Sequence, residues 1–162
     1  MRNDWRNVAA ALGMMTILAG STARGDGDLR IGQVPVEVRQ AALKAVPGAS
    51  LTSAFKETDE GKTTYELSGK DARGREIDVE VTARGVVLAV ETEVPISQVP
   101  RAVIDALRAK AKGLKFDSVE VVTRNGRIIS YEFEGENAEG DEVEANVSPD
   151  GRTVDIEIDD ED

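Results

Sequence analysis

One unit of sequence occurs twice in this chain, and this duplication limits the folds that the chain can adopt. The segment 31–35 (IGQVP) recurs 65 positions later as 96–100 (ISQVP). Other positions recur at an offset of 65 and then 66, in the pairs Gly48 and Gly113, Gly61 and Gly126, Tyr65 and Tyr131, Gly69 and Gly135, and Gly85 and Gly151. Because Pro fixes and Gly frees the backbone torsion φ, this recurrence implies a recurring backbone geometry. We therefore predict two tandem copies of one module of about 65 residues.

Each copy begins with a short amphipathic helix. Pro35 and Pro100 occupy first-turn positions, where the missing N–H group of proline has no helical partner to lose. Apolar residues then follow at helical spacing, and the pattern ends at Pro47-Gly48 in the first copy and at Gly113 in the second. Because helices of about three turns are marginal alone, each helix needs a sheet to pack against.

Four strand-like runs, separated by glycine turns, follow each helix. They span 51–58, 63–68, 75–82 and 86–93 in the first copy, and 116–123, 127–134, 142–148 and 153–159 in the second. Asn125-Gly126 and Asp150-Gly151 are strong hairpin signals, and short turns predict antiparallel meanders. The predicted fold class is α+β, with two tandem repeats of a short helix packed on a four-stranded antiparallel meander sheet. The two sheets are either separate or joined into one continuous eight-stranded sheet.

The first 23 residues have the features of a secretory signal peptide. Two arginines precede an apolar run at 8–19, which is too short to span a bilayer as a helix. Cleavage is expected after Ala23, with Gly25 as the competing site, and an uncleaved membrane anchor is the alternative. The predicted organisation is a signal peptide (1–23), a linker (24–30), repeats at 31–93 and 94–159, and an acidic tail (160–162). It places the protein in the periplasm or outside the cell, with no membrane insertion after cleavage.

The composition excludes several kinds of chemistry. The chain has no Cys and no His, which removes disulfides, thiolate zinc sites, cysteine nucleophiles and Ser-His-Asp triads. We therefore expect no enzyme activity, no catalytic residues and no cofactor. The formal net charge of −11 repels phosphate backbones, so nucleic acid is not an expected partner. Coulomb attraction instead favours cations and basic protein surfaces.

Period-two alternation in the strands predicts one apolar face and one unusually acidic face. The residues predicted to face the helix are Tyr65, Leu67, Ile77, Val79, Val81, Leu88 and Val90 in the first copy and Ile129, Tyr131, Phe133, Val143, Val147, Val154, Ile156 and Ile158 in the second. The opposite face carries Glu66, Asp78, Glu80 and Glu91, then Glu132, Glu134, Glu142, Glu144, Asp155, Glu157 and Asp159. In the first strand of each copy the alternation is poor, so the residues of that strand cannot be assigned to either face of the sheet.

This acidic face is the predicted binding surface. Because like charges on neighbouring strands are destabilising, a basic partner or a bound cation would offset the repulsion. The alternative is a solvated face over which Lys and Arg side chains reach from the turns. The candidate partner-binding residues are Glu132, Glu134, Glu142, Glu144, Asp155 and Glu157.

A second pattern raises calcium as a ligand without establishing a metal site. Oxygen-bearing residues at 146, 148 and 150, then Gly151 and Glu157, partly follow the spacing of a calcium loop. The loop would begin with Asn in place of Asp and would have no flanking helices, and a hairpin turn explains the same residues. We predict no metal site, and Asp150 and Glu157 are the candidates if calcium binds.

The two copies resemble the PepSY-like family, also described as beta-lactamase-inhibitor-like domains of exported bacterial proteins. The first copy carries the pattern in Val34, Pro35, Pro47, Gly48, Gly61, Tyr65 and Glu66, and the second keeps Val99, Pro100, Gly113, Gly126, Tyr131 and Glu132. The resemblance implies two tandem α+β domains outside the cytoplasm, without catalytic activity, that bind or inhibit other proteins. We therefore expect an exported, non-enzymatic binding module that engages a protein with a basic surface. The alternative is a protein that binds or buffers divalent cations such as calcium.

Overall fold

The computed structural model describes residues 27–159 of the chain. Its strands are β1 (Gly27–Arg30), β2 (Ser50–Asp59), β3 (Lys62–Lys70), β4 (Glu76–Thr82), β5 (Val87–Glu93), β6 (Lys115–Arg124), β7 (Arg127–Glu136), β8 (Glu142–Val147) and β9 (Val154–Asp159). The helices are α1 (Val36–Ala45) and α2 (Arg101–Lys110), each preceded by one 3-10 turn, Ile31–Gln33 or Ile96–Gln98. The predicted signal peptide (1–23) and acidic tail (160–162) lie outside the described residues.

All nine strands form one antiparallel sheet in which each strand pairs with its neighbours in sequence. The order of a 3-10 turn, a helix and four strands occurs twice. The two halves join where β5 pairs with β6, with Glu91 opposite Val122 and Glu93 opposite Glu120. The predicted α+β fold is confirmed, and the observed sheet is the continuous one. It has nine strands because residues 27–30, within the segment expected to be a linker, form β1 and pair with β2.

Both helices pack on the same face of this sheet. Pro35 and Pro100 are the N-cap residues, one position before the first helical residue. Helix α1 contacts β3, β4 and β5 and buries Val38 and Ala42, whereas α2 contacts β8 and β9 and buries Val103 and Leu107. Each helix therefore covers its own hydrophobic core, and the opposite face of the sheet is left uncovered by the described elements.

Glycines opposite two bulges bend the sheet at equivalent places in the two halves. The register shifts between Leu51 and Ser53 in β2, opposite Gly69, and again in β6, opposite Gly135. A Cβ atom on Gly135 would overlap the carbonyl oxygen of Lys115 and lie 2.7 Å from the Cα atom of Phe116. Only glycine permits this close approach of two backbones, so the recurrence of Gly69 and Gly135 in the sequence has a structural cause.

Two further register shifts correct the predicted faces. Leu88 and Ile129 were predicted to face the helices, but neither belongs to a hydrophobic core. In the β4–β5 ladder the register shifts between Glu80 and Val81. As a result Val87 lies opposite Val81 and packs against the first core. A similar shift in the β6–β7 ladder displaces Ile129. An extra residue in a strand inverts the alternation, and a period-two pattern read from sequence cannot register it.

Candidate functional site

The face of the sheet opposite to the helices is lined by carboxylates, and we call it the acidic face. Alternation in β4 shows how it arises, because Ile77, Val79 and Val81 are buried on the helix side while Asp78 and Glu80 face the other way. The acidic face comprises Glu66, Asp78, Glu80, Glu91, Glu120, Glu132, Glu134, Glu142, Glu144, Asp155 and Glu157.

The strand register sets many of these carboxylates directly opposite one another. The opposed pairs are Glu66 and Glu80, Asp78 and Glu91, Glu120 and Glu132, Glu134 and Glu144, and Glu144 and Glu157. Side chains in such positions have Cβ atoms about 5 Å apart, a separation at which like charges repel. The pairing therefore concentrates negative charge along the middle of the sheet.

Three glutamates converge at the centre of the acidic face, and we call them the central trio. Glu91 in β5, Glu120 in β6 and Glu132 in β7 each contribute one carboxylate oxygen, and these oxygens all lie within 4.8 Å of one another. In a flat sheet β5 and β7 would be about 9.6 Å apart. The charge of Glu132 also acts on Glu66, which lies four strands away in β3. The side chains of Glu91 and Glu132 therefore converge over β6.

Apolar neighbours on the same face help to bury these carboxylates. Ala89 opposite Glu80 and Val122 opposite Glu91 are fully buried on the same face, so the carboxylates stand on an apolar floor. Glu132 itself is only 7% exposed. Removal of water from a carboxyl group disfavours its charged form, so this environment favours the protonated acid.

Burial, and secondly the neighbouring carboxylates, raise the pKa values along the acidic face. The pKa is about 8 for Glu66, Glu120 and Glu144, in each case mainly because the carboxyl group is buried. Burial likewise raises the pKa of Glu91 well above its ordinary value, and the charges of Glu132 and Glu120 add to the effect. At neutral pH these groups therefore either hold protons or bear an unfavourable charge.

Two acidic-face residues have smaller increases because a neighbour stabilises the charged form. Burial raises the pKa of Glu80 to about 7, against the charge of Arg124, which lowers it. Burial also raises the pKa of Glu132 to about 7, and a hydrogen bond from Asn146 opposes the increase. The Nδ2 atom of Asn146 also donates to Oε1 of Glu144 at 2.6 Å, so this amide links two carboxylates.

The acidic face has few internal partners for its charge. The ion pairs in which both members are shown within residues 27–159 are Lys70 with Glu76, Arg75 with Asp71, Arg101 with Asp105, and Arg152 with Asp150, and none of these four includes an acidic-face carboxylate. The Oε2 atoms of Glu80 and Glu132 are buried without a hydrogen-bond partner. Buried oxygens of this kind are rare in folded proteins and call for an explanation. Chemically, the arrangement suits a ligand that brings positive charge.

The structure places all six predicted partner-binding residues on this one face. Glu132 is buried at its centre and Glu144 is half-buried beside it, whereas Glu134, Glu142, Asp155 and Glu157 are exposed. They continue from β7 to the last strand, β9. Whether a partner contacts them stays a prediction.

The two residues considered for calcium lie in different settings. Asp150 belongs to the turn between β8 and β9, where it accepts hydrogen bonds from the hydroxyl of Ser148 and the backbone of Arg152. Glu157 lies in β9, opposite Glu144. Within residues 27–159, the acidic group with the geometry of a metal site is the central trio instead.

Sequence analysis missed Glu120, a member of the central trio. It lies in β6, a first strand to which no face was assigned, because the bulge between Phe116 and Ser118 disturbs the alternation. The signal was local: Val119 and Val121 flank Glu120 and both pack on the helix side. The alternation of residues 118–121 alone indicates the correct face.

Comparison with known proteins identifies the first repeat. Residues 35–91 match the family model for PepSY, the peptidase propeptide and YPEB domain. No curated protein matches the chain. None of the helices described between residues 27 and 159 has the length and apolar character needed to cross a membrane.

Solved structures share the fold over most of the chain. A Bacteroides eggerthii protein for which a periplasmic location is proposed is 18% identical, with a TM-score of 0.60 over 77% of this chain and 88% of its own. A DUF2874 family protein from Bacteroides uniformis is 19% identical, with a TM-score of 0.58 over 76% and 88% of the two chains. A BLIP-like protein from Bacteroides fragilis is 21% identical, with a TM-score of 0.52 over 75% and 84%. The resemblance predicted from sequence is confirmed for residues 35–91, which match the PepSY model, and the described chain has the fold of these BLIP-like and DUF2874 proteins.

Proposed function

We propose that the protein is an exported, non-catalytic binding module whose acidic face receives a basic surface of a protein partner. The observation that carries this proposal is the lack of ion pairs to the acidic-face carboxylates within residues 27–159. A surface so charged, and left uncovered by the described elements, is a poor choice for stability alone. A ligand with positive charges would remove the repulsion between these carboxylates, and the relief of that repulsion would contribute to the free energy of binding.

The chemistry of the acidic face favours arginine and lysine as the contacting groups. Arginine presents a planar fork of donors that matches paired carboxylates, such as Glu134 and Glu144 on adjacent strands. Exposed carboxylates at the rim, including Glu142 and Glu157, would steer a basic partner toward the centre of the acidic face. Electrostatic steering of this kind predicts an association rate that falls as salt is added.

The similar proteins support a binding role outside the cytoplasm. The matched family is described by a peptidase propeptide, and one of the similar structures is described as BLIP-like. Another belongs to a protein for which a periplasmic location is proposed. With neither His nor Cys in the chain, we also propose that the protein catalyses no reaction. The predicted signal peptide at 1–23 would export it.

A capture experiment with charge-matched baits tests the proposal. The face variant replaces Glu132, Glu134, Glu142 and Glu144 by Gln. The control variant replaces four exposed acids outside the acidic face by their amides, namely Glu37, Glu60, Asp117 and Glu139. Both variants have the same net charge, so a difference between them reports the location of the charge. Immobilised wild-type and variant proteins are incubated with envelope proteins of the source organism in EDTA, and the bound proteins are identified by mass spectrometry.

We expect a basic protein that wild type and control retain and that the face variant loses. Increasing NaCl should also elute this protein from the wild-type and control baits, because the contact is electrostatic. Equal capture by face variant and control, or no protein that distinguishes them, would refute the proposed function. Circular dichroism of each bait shows whether it is folded before the comparison is made.

A further inference from the structure

We infer that the central trio, Glu91, Glu120 and Glu132, is a calcium-binding site at the junction of the two halves of the sheet. The inference goes beyond the proposed function because it concerns a different ligand. It shares with that function only the requirement that the acidic face be accessible. Three strands supply the three ligands, and two of those strands, β5 and β6, belong to different repeats.

The separation of the oxygens fits one calcium ion. Calcium binds oxygen ligands at about 2.3 to 2.6 Å, so two ligands on opposite sides of the ion are about 4.8 Å apart. The three carboxylate oxygens of the central trio all lie within 4.8 Å of one another, so a single ion can contact all three. Magnesium, at about 2.1 Å, demands a stricter octahedral geometry and gives up its water molecules reluctantly. Carboxylates without nitrogen or sulfur ligands favour such hard cations over zinc or copper.

An independent observation points to a ligand at the same place. Glu132 is 93% buried, on the basis of its 7% exposure, yet its Oε2 atom has no hydrogen-bond partner. Its carboxyl group does accept a hydrogen bond from Asn146, which fixes the group from the β8 side. Such a buried oxygen costs free energy unless something binds it. A cation between Glu132 and the other two glutamates removes that cost.

The surroundings supply charge and access for the ion. Glu66 and Asp78 are close enough to act on the charge of Glu91, so further carboxylates lie around the trio. Neither helix covers this face, and water can complete the six to eight ligands that calcium takes. Protons compete for the same oxygens, so calcium binding should release protons and strengthen as the pH rises.

Calorimetry on the metal-free protein tests the inference. The protein is stripped with EDTA, dialysed and titrated with CaCl₂ at about pH 7.5, and with MgCl₂ in a parallel series. We expect one calcium site per chain, weaker binding of magnesium, and an increase of the melting temperature with calcium because the ion binds the native state. No binding heat and no change of melting temperature at millimolar calcium would overturn the inference.

Two single substitutions with the same charge change locate the site. Glu120→Gln removes one oxygen ligand from the trio and should weaken calcium binding at least tenfold. Glu142→Gln removes an exposed carboxylate of the same face, outside the trio, and should leave the calcium affinity within about twofold. Equal effects of the two substitutions would show general attraction by the acidic face and would overturn the site. If Glu120→Gln does not fold, Glu91→Gln replaces it. Because partner capture is measured in EDTA, failure of the calcium site leaves the proposed partner binding standing, and the reverse also holds.

Discussion

The stability of this protein should fall as the pH rises from about 5 to about 8, the reverse of the usual behaviour of an acidic protein. Most carboxylates in folded proteins have depressed pKa values, so neutral pH favours the folded state. Here burial and neighbouring carboxylates raise the pKa of Glu66 to about 8, from an ordinary value of 4.5. Between pH 4.5 and about pH 8, the Glu66 carboxyl group holds a proton in the native state that it has lost in the unfolded chain. The stabilisation is complete below pH 4.5 and is lost as the pH rises through about 8.

The expected magnitude follows from the shift at a single residue. For a group with a pKa of 4.5 when unfolded and about 8 when folded, linkage gives a loss of about 2.5 kcal/mol between pH 5 and pH 7. Glu120 and Glu144 have pKa values of about 8 as well. The charge of Glu132 raises the pKa of all three groups, so their contributions do not add, and the value for Glu66 sets the scale.

Urea unfolding followed by circular dichroism, at constant ionic strength from about pH 5 to about pH 8, measures the effect. Because glutamine cannot ionise, the free energy of unfolding of Glu66→Gln should fall less between pH 5 and pH 7 than that of wild type. The two decreases should differ by about 2.5 kcal/mol. Glu60→Gln removes a carboxylate from the exposed β2–β3 turn and should follow the wild-type curve. A wild-type stability that rises over this range, or identical slopes for the Glu66 variant and wild type, would refute the reasoning.

Two other predictions concern the forces that shape the sheet. In the absence of calcium at pH 7.5, raising NaCl from about 0.02 M to about 0.5 M should increase the free energy of unfolding by about 1 kcal/mol. The reason is that salt screens the repulsion between carboxylates of the acidic face. A decrease measured by urea unfolding would contradict this prediction. Gly135→Ala should destabilise the protein by about 2 to 4 kcal/mol, because the added methyl group overlaps the backbone of β6. Gly32→Ala, which places its methyl group in open space, is the control, and equal midpoints for both variants would contradict the role of Gly135.

Much of the fold could be predicted from the sequence because its determinants are local. Recurring Pro and Gly marked the two copies, helical spacing marked α1 and α2, and alternation placed Asp78, Glu80 and Glu132 away from the helices. These patterns depend on the backbone geometry of neighbouring residues. They give the side of the sheet on which a residue lies, and they say nothing about the shape of that side.

The centre of the candidate site could not be predicted for the same reason. The proximity of Glu91 and Glu132 depends on side chains that converge over β6 and on the pairing of β5 with β6, which joins residues about 30 positions apart. The sequence pattern left that pairing open, and the predicted candidates all came from the second copy. Burial of the carboxylates depends on the same assembly of strands, so the raised pKa of Glu120 has no counterpart in the sequence pattern.

The duplication explains why the central trio occurs once in a sheet built from two similar halves. Glu132 corresponds to Glu66 in the first copy, yet the position that corresponds to Glu120 is Phe55, which pairs with Glu66 as Glu120 pairs with Glu132. The counterpart of Glu91 is Glu157, which lies in β9, the last strand of the sheet formed by residues 27–159. A trio therefore requires a last strand of one copy, a first strand of the next, and a carboxylate in place of Phe55. The substitution Glu120→Phe would place at the junction the residue type that the first copy has at this position. We expect this variant to fold and to lose calcium binding, which would show that the site depends on Glu120 and that the fold does not.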